Sequence, residues 1–356
     1  MLGLSVRAAR ATWTVLLIIG MIALVYKIGE TVILFMSALF FAYVLSPAVS
    51  AMERVTPRVV GRTTAVTVVY LLFLGLLAGL AATFGASLVD QATSFAQRIP
   101  DLIKNRDWLE QTIPGWLGPA KERIIDWVQQ QTSSGGAALV PFLKNAPMAL
   151  KGTLTGALYF VLVPILAFFF IKDGPDMREY ILSVIGEGQR RELLDDILSD
   201  IHTMLGHYIR ALVTLSAISI VVYSTFFSII GLPYSVLVAF QAAVLEFIPV
   251  IGPLIAGVVM LLVAGFSGFG HLLVIVIFWV IYRGIQDYIL SPNLMGKGVE
   301  IHPLLILFGV LAGEQVGGVP GMIFSVPVIA MVRLIFVRAR RAAERRRLAP
   351  VQIEPL

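Results

Sequence analysis

The stretch "LEFIPVIGP", Leu245–Pro253, places a carboxylate, two prolines and a glycine in one of the most apolar parts of the chain. Pro249 lacks a backbone N–H and obstructs the helix that precedes it, while Gly252-Pro253 is expected to prevent a regular continuation. The backbone groups that such a break frees find no hydrogen-bond partner in lipid. We therefore predict a helix break that is buried in protein or lines a cavity.

A second stretch, "GEQVGGVPG" from Gly313 to Gly321, repeats this pattern. The segments 233–266 and 303–336 have equal length, and each begins at a proline, continues through apolar residues to a glutamate and is then interrupted. The interrupting residues are Pro249, Gly252 and Pro253 in the first segment, and Gly317, Gly318, Pro320 and Gly321 in the second. Broken helices in an internal repeat, with a site at the breaks, are typical of secondary transporters. Each segment either crosses the membrane with a bend or forms a re-entrant hairpin, and the sequence fits both.

The composition indicates a polytopic membrane protein. Of the 356 residues, 58% are hydrophobic and 14% are charged, with a mean hydropathy of +0.88, whereas roughly a quarter of the residues in a soluble domain are charged. The chain has no Cys and its four His are dispersed, which argues against zinc, disulfide or redox chemistry. The net charge is +5, but six arginines lie between Arg338 and Arg347, directly after an apolar segment. They predict a juxtamembrane anchor rather than a nucleic-acid site.

Eight apolar segments are candidates for membrane segments, which need about 20 residues to cross as a helix. They are 13–28, 31–49, 63–89, 150–171, 208–230, 233–266, 271–290 and 303–336. The arginines near the N-terminus, after the second segment and in the tail share one side of the membrane if both termini are cytoplasmic. We therefore predict an all-α polytopic protein with about eight membrane segments and both termini in the cytoplasm.

Four regions follow from this pattern. Residues 1–89 are predicted to form three membrane helices, 90–149 an extracytoplasmic insertion of amphipathic helices, 150–336 the core with the internal repeat, and 337–356 a basic cytoplasmic tail. The insertion holds three of the five Trp, which suits either the headgroup layer or a small subdomain that packs on itself.

Within the core, the polar segment 173–207 is predicted to be cytoplasmic. "DGP" at Asp173–Pro175 is expected to end the preceding membrane helix. Apolar residues then recur at helical spacing from Leu194 to Tyr208. An amphipathic helix is therefore predicted to run directly into the fifth membrane segment.

Glu246 is the main candidate for a functional residue. A charged residue at the centre of a membrane helix costs about 2.5 to 3.5 kcal/mol on insertion scales, so an unpaired Glu246 is expected to be protonated. Such a carboxyl could take up and release a proton or bind a cation during transport. Alternatively, it only accepts hydrogen bonds from amides that the break frees. Glu314, in the second segment, is the second candidate, and Gln315 beside it places it nearer an interface.

Arg283, Gln286 and Asp287 lie between the two repeats and are the other polar candidates. Arg283 and Asp287 are four residues apart on one helical face, so we favour a simple ion pair over a role in substrate binding. No catalytic residue, metal ligand or cofactor site is predicted.

Three stretches, in order, resemble the autoinducer-2 exporter (AI-2E) family of bacterial inner-membrane proteins. They are "FFFIKDGP" (Phe168–Pro175), "GLPYSVLVAFQAAVLEFIPVIGP" (Gly231–Pro253) and "QDYILSPNLMGKGVEIHPLLILFGVLAGEQVGGVPGMIFSVPVIA" (Gln286–Ala330). The resemblance implies a homo-oligomeric, eight-segment transporter of the bacterial inner membrane. Within the family, some members export the quorum-sensing signal autoinducer-2, and others resemble sodium(lithium)/proton antiporters.

The leading hypothesis is proton-coupled export of a small polar metabolite, with autoinducer-2 as the named candidate. A sodium(lithium)/proton antiporter and a structural membrane protein without transport activity are the alternatives. The chain has no phosphate-binding loop of the type Gly-x-x-x-x-Gly-Lys-Ser/Thr and no protease or hydrolase motif. We therefore expect neither ATP-driven transport nor an enzyme.

Overall fold

The computed structural model describes residues 12–17, 20, 27–55, 61–104, 122–123, 126, 154–295 and 301–348. Within these ranges the chain is helical and contains no β-strand, which confirms the predicted all-α architecture. The elements are α1 (Gly29–Val55), α2 (Arg62–Lys104), α3 (Leu154–Ser183), α4 (Gln189–Ile229), α5 (Ser235–Leu245), α6 (Ile251–Phe266), α7 (Leu272–Ile285), a π-helical turn (Gln286–Leu290), α8 (Ser291–Met295) and α9 (Pro303–Leu348).

Five stretches of the described helices are long and apolar enough to cross a membrane. They are α1, α2, α4, the stretch from α7 to α8, and α9. In addition, α5 and α6 are shorter apolar helices. Together these helices make a polytopic membrane protein. The count of eight segments stays a prediction, because half of the first predicted segment, 13–28, lies outside the described residues.

The first repeat segment folds as a helical hairpin. The chain reverses between α5 and α6, and Gln241 Nε2 donates a hydrogen bond to the Ala256 carbonyl, 3.4 Å away on the opposite arm. Gly252 lies so close to the Leu245 carbonyl that a Cβ would overlap it. Residues equally far from the turn thus face each other, so the arms are antiparallel. Arms of 11 and 16 residues measure about 16 and 24 Å, which suits the re-entrant alternative better than a bent crossing.

The break in this hairpin lies earlier than the sequence indicates. Pro249 is in the turn, but Gly252 and Pro253 belong to the first turn of α6, where a proline is tolerated because its N–H would have no partner in the helix. The prediction that Gly252-Pro253 interrupts the helix is therefore wrong. Val250, directly before α6, has φ 64° and ψ −57°. A β-branched residue rarely adopts positive φ, so this turn is strained.

The second repeat segment is also a hairpin, because α9 consists of two helices that meet at a kink. Gly317 and Gly318 have non-helical backbone, and Gly318 has φ 59° and ψ −141°, a conformation that favours glycine. A Cβ on Gly313 would overlap the Gly321 carbonyl, and one on Gly309 would lie 3.5 Å from Ser325 Cβ. These contacts require the chain to fold back at the two glycines. Pro320 and Gly321 lie within the second arm rather than in the break.

The two hairpins meet at one residue of α1. The Phe40 ring packs edge-on against Phe247, next to Glu246, with ring centroids 5.9 Å apart. It also packs against Phe324 of the second hairpin at 6.1 Å. Phe40 lies near the middle of α1, so the tip of the first hairpin lies at about half the depth of that helix. The tip of the second hairpin lies closer to the α1 N-terminus, because Gly317 contacts Ile33.

Helix α3 continues through the "DGP" stretch that was predicted to end it. It extends to Ser183, with Pro175 in its interior. A proline in a helix leaves the carbonyl four residues earlier without its usual donor, and here that carbonyl belongs to Ile171. Arg62 Nη2 from α2 donates a hydrogen bond to the Ile171 carbonyl at 3.0 Å. The prediction of a helix end was wrong because the tertiary structure supplies the missing donor.

Helix α4 confirms the predicted amphipathic helix that runs into the fifth membrane segment. It extends for 41 residues, and its polar N-terminal half is linked to the end of α9. There Arg338 forms ion pairs with Asp200 and, at 3.4 Å, with Asp196. The basic end of α9 is thereby held against the polar half of α4.

We expect Arg338→Ala to loosen the end of α9 without unfolding the protein. The Arg338 pairs are partly exposed, so their loss should lower the free energy of unfolding by less than about 1 kcal/mol. Hydrogen–deuterium exchange should accelerate in residues 337–344. Arg340→Ala is the matched control, since Arg340 pairs with Glu344 of the same helix. Equal acceleration in both variants would contradict a specific link to α4.

The predicted boundary between regions 1–89 and 90–149 does not coincide with a helix end. Helix α2 continues through Asp90 to Lys104 without interruption. The other amphipathic helices predicted for the insertion lie outside the described residues, except for 122–123 and 126.

Candidate functional site

Glu246 lies at the C-terminal end of α5, where the chain enters the hairpin turn. Its side chain is 9% exposed. The unpaired carbonyls at a helix C-terminus make this an unfavourable place for a carboxylate. A positive partner offsets this, because Arg283 Nη1 of α7 donates a hydrogen bond to Glu246 Oε1 at 3.0 Å. The carboxyl predicted to be protonated when unpaired is therefore paired in this structure.

Arg283 holds a second carboxylate more firmly. Its Nε donates to Asp287 Oδ2 at 2.9 Å and its Nη2 is 2.6 Å from Asp287 Oδ1, so this contact is bidentate. The pair that the four-residue spacing predicted is thus present, with Glu246 as an additional member. The Asp287 side chain is 45% exposed. Arg283 therefore links two carboxylates. It makes one contact to the buried Glu246 and two to the exposed Asp287.

Gln286 adds a buried polar network beside this triad. The residue is 1% exposed, and its Nε2 donates to Ser219 Oγ of α4 at 2.8 Å. Ser219 Oγ is also 3.1 Å from the Tyr282 hydroxyl. Gln286 Oε1 is buried and has no hydrogen-bond partner among the described residues. An unsatisfied buried acceptor in a native structure is uncommon and calls for an explanation.

The backbone that presents these side chains is itself irregular. Gln286 and Asp287 begin the π-helical turn Gln286–Leu290 that follows α7. Such turns are rare and occur frequently at functional sites. The strained turn at Val250 follows Glu246 by four residues in the chain. Two uncommon backbone conformations therefore lie within a few residues of one ion pair.

The site lies deep in the helical bundle. Ser219 is near the middle of the apolar half of α4, and Ser216, one turn earlier, donates to the Ala243 carbonyl of α5 at 2.7 Å. Phe247, adjacent to Glu246, contacts Phe40 in the middle of α1. Both helices thus place Glu246 at about mid-depth, where ionisable residues are costly and usually functional.

The structure unites only some of the predicted site residues. Glu246, Arg283, Gln286 and Asp287 form one cluster, with Pro249 in the adjacent turn and Gly252 at the start of α6. Glu314 is exposed and makes no ion pair with any described residue. Together with Gly317 and Gly318, it belongs to the second hairpin, whose tip packs on Ile33 of α1.

Sequence reasoning missed the partners of Gln286. Ser219 lies among other hydroxyl residues in an apolar helix, so no local pattern distinguishes it. Tyr282 precedes Arg283 and is read most simply as an interfacial aromatic residue. The π-helical turn has no composition of its own. The only available signal was the run of polar residues in "YRGIQD" itself.

The cluster has the charge to bind and release one proton or one monovalent cation. Two carboxylates and one guanidinium leave a net charge of −1, which one bound proton or one monovalent cation would neutralise. Within the described residues, no group of three or more His, Cys, Asp or Glu side chains could hold a metal ion. A cation here would therefore rely on two carboxylates and on backbone carbonyls at the turn.

The chain is similar to a transporter family over nearly its whole length. The model of the AI-2E family transporter matches residues 14–341. Two proteins of Bacillus subtilis (strain 168), both named as proposed transport proteins, are similar to it. YueF is 28% identical over 94% of each chain, and YrrI is 26% identical over 85% of each chain. MT0215 of Mycobacterium tuberculosis, named in the same way, is 24% identical over 91% of this chain and 88% of its own. By the extent of the family match, the chain belongs to the AI-2E transporter family.

Proposed function

We propose that this transporter is a secondary exporter of a small polar solute, coupled to protons through Glu246. The observation that supports this most is the buried Glu246–Arg283 pair at the turn of a helical hairpin, in a cluster with a net charge of −1. Ionisable groups at this depth in transporters act as proton or ion relays. Family membership supports transport rather than a purely structural role or an enzymatic one.

Protonation of Glu246 would change one contact and leave the other intact. A neutral carboxyl loses its charge-assisted bond to Arg283 Nη1, whereas the two bonds from Arg283 to Asp287 persist. The hairpin of α5 and α6 would then be released from α7, while α7 keeps its own ion pair. The strain at Val250 favours such movement, because a strained turn gives back energy when it relaxes.

The solute is proposed to bind next to Gln286. The buried Gln286 Oε1 would be satisfied by a solute that donates a hydrogen bond, such as one with hydroxyl groups. Autoinducer-2 is the candidate that membership of this family suggests. We further propose that the protein is a homo-oligomer of the bacterial inner membrane, with both termini in the cytoplasm.

A sodium(lithium)/proton antiporter is the second candidate. The same net charge of −1 would accept a sodium ion in place of a proton, and the carbonyls freed at the hairpin turn would supply further oxygen ligands. This candidate predicts sodium-dependent proton flux in proteoliposomes. The exporter predicts solute efflux that is independent of sodium.

The test is efflux of autoinducer-2 from cells that lack their own exporters, at several external pH values. Wild type is expected to export the signal at a rate that depends on pH. Glu246→Gln should reach the same expression, lose the pH dependence and slow export by about tenfold or more. If wild type moves no signal in cells and instead produces sodium-dependent proton flux in proteoliposomes, the substrate is wrong and the antiporter is favoured.

Glu314→Gln is the matched control for this experiment. It makes the same chemical change at the equivalent position of the second repeat, but Glu314 is exposed and unpaired among the described residues. We expect it to keep the pH dependence of wild type. Loss of pH dependence in both variants would show that coupling is not specific to the Glu246 cluster.

A further inference from the structure

A polar cavity lies between α1 and α4, at the end of the bundle that also holds the C-terminal part of α9. Its volume is about 230 Å³. Its lining includes the hydroxyls of Tyr43, Ser46 and Thr203 and the basic side chains of His202, His207 and Arg210. None of the lining residues that the structure describes is acidic. The cavity therefore combines several hydrogen-bond donors with the positive charge of Arg210.

Arg210 has no acidic partner among the described residues. Its Nε donates to the Gly206 carbonyl at 2.9 Å, which fixes the guanidinium over the cavity and leaves its other donors available. Nearby acidic residues are already paired, since Arg338 binds Asp200 and Arg178 binds Asp195 at 2.7 Å. The positive charge of Arg210 is thus not neutralised within this part of the chain.

The two histidines are oriented by contacts of their own. His207 Nδ1 is 2.9 Å from the Thr203 carbonyl, and because a carbonyl only accepts, Nδ1 carries the proton. This leaves Nε2 of His207 as the free ring nitrogen. His202 Nδ1 is 3.0 Å from the Tyr43 hydroxyl, which holds the second ring at the α1 side of the cavity. Each of these exposed side chains, like that of Arg210, is therefore oriented by a hydrogen bond.

We propose that this cavity binds a phosphate group. A guanidinium with free donors, two imidazoles and three hydroxyls match the many oxygen acceptors of a phosphate better than they match a cation or an apolar ligand. The volume is below the range of drug-sized ligand sites, about 300 to 1,000 Å³, so it suits a phosphate or a small phosphorylated group. This site is separate from the Glu246 cluster and does not depend on the proposed transport function.

The location allows two sources for that phosphate. His207 and Arg210 lie where the polar half of α4 meets its apolar half, which is the depth of lipid headgroups if the apolar half is in the membrane. A phospholipid headgroup could reach the cavity from the bilayer, and a soluble phosphate could reach it from the aqueous side. The chemistry of recognition is the same for both.

The experiment uses the full-length protein, purified and delipidated in a neutral detergent. Binding of inorganic phosphate is measured by titration calorimetry, and retention of added phosphatidylglycerol is measured by native mass spectrometry. Whichever of the two probes binds wild type, Arg210→Gln is expected to weaken its binding by about tenfold or more. Arg340→Gln, which removes an exposed arginine of the tail, is the control and should bind as wild type does.

The outcomes distinguish the sources and can overturn the proposal. Phosphate binding that Arg210→Gln weakens identifies a site for soluble phosphate. Lipid retention that the same variant reduces, without phosphate binding, identifies a headgroup site. If Arg210→Gln fails to fold, His207→Gln replaces it, because the His207 ring also lines the cavity. The proposal is overturned if neither probe binds wild type, or if the variants bind both probes as wild type does.

Discussion

Replacing Arg283 with glutamine is expected to destabilise the protein by about 3 kcal/mol, at the lower end of the range for breaking a buried ion pair, and to abolish transport. The physical reason is that Glu246 would remain buried at a helix C-terminus without a positive partner. Asp287, which is partly exposed, can be solvated and contributes less. The loss should be visible as a lower midpoint of thermal unfolding and a smaller monodisperse fraction in detergent.

The double variant Glu246→Gln/Arg283→Gln separates stability from function. With both charges removed, two neutral amides of similar size remain, so most of the lost stability should return. Transport should stay lost, because the buried carboxyl that we propose exchanges the proton has been removed. If the double variant recovered transport as well as stability, the pair would be purely structural.

Arg178→Gln is the matched control for this pair of variants. Arg178 also forms a close ion pair, with Asp195 at 2.7 Å, but both side chains are 46% exposed. Exposed pairs contribute little to stability, so this variant should unfold at nearly the wild-type temperature and keep transport. An effect as large as that of Arg283→Gln would show that burial is not the cause.

The features that the sequence predicted are those with local physical causes. Pro249 and the Gly317-Gly318 pair restrict or relax the backbone at their own positions. Both helix breaks could therefore be predicted from the residue types alone. The spacing of Arg283 and Asp287 predicted their ion pair in the same way. Likewise, the helical spacing of apolar residues from Leu194 to Tyr208 predicted helix α4, which continues into the fifth predicted membrane segment.

The features that could not be predicted depend on distant partners. Glu246 is paired with a residue 37 positions away, and only the packing of the hairpin on α7 brings them together. The helix through Pro175 depends on Arg62, from another helix. Glu314 occupies an equivalent position in the repeat but has a different environment, because its hairpin packs on α1. A repeated sequence pattern thus predicts repeated backbone geometry without predicting repeated chemistry.

Gly317→Ala is expected to destabilise the second hairpin, and truncation of Ile33 is expected to reverse this. A Cβ on Gly317 would overlap Ile33 Cδ1, and overpacking of this kind typically costs about 1 to 3 kcal/mol. The φ of Gly317 is −151°, so alanine at this position would not need the left-handed conformation that favours glycine. Ile33→Ala removes the overlapping atoms and should restore folded yield and transport in the double variant.

Gly321→Ala provides the contrasting result that makes this rescue informative. Its Cβ would overlap the Gly313 carbonyl, and no side-chain truncation can move a backbone atom, so Ile33→Ala should leave this variant misfolded. Gly284→Ala is the control, because nothing lies within 4 Å of a Cβ at that position, and it should fold as wild type does. Rescue of Gly317→Ala alone would place the tip of the second hairpin against α1, as the fold requires. If Ile33→Ala rescued neither variant, the hairpin tip would not pack on α1, and the separation of Glu314 from the Glu246 cluster would lose its structural basis.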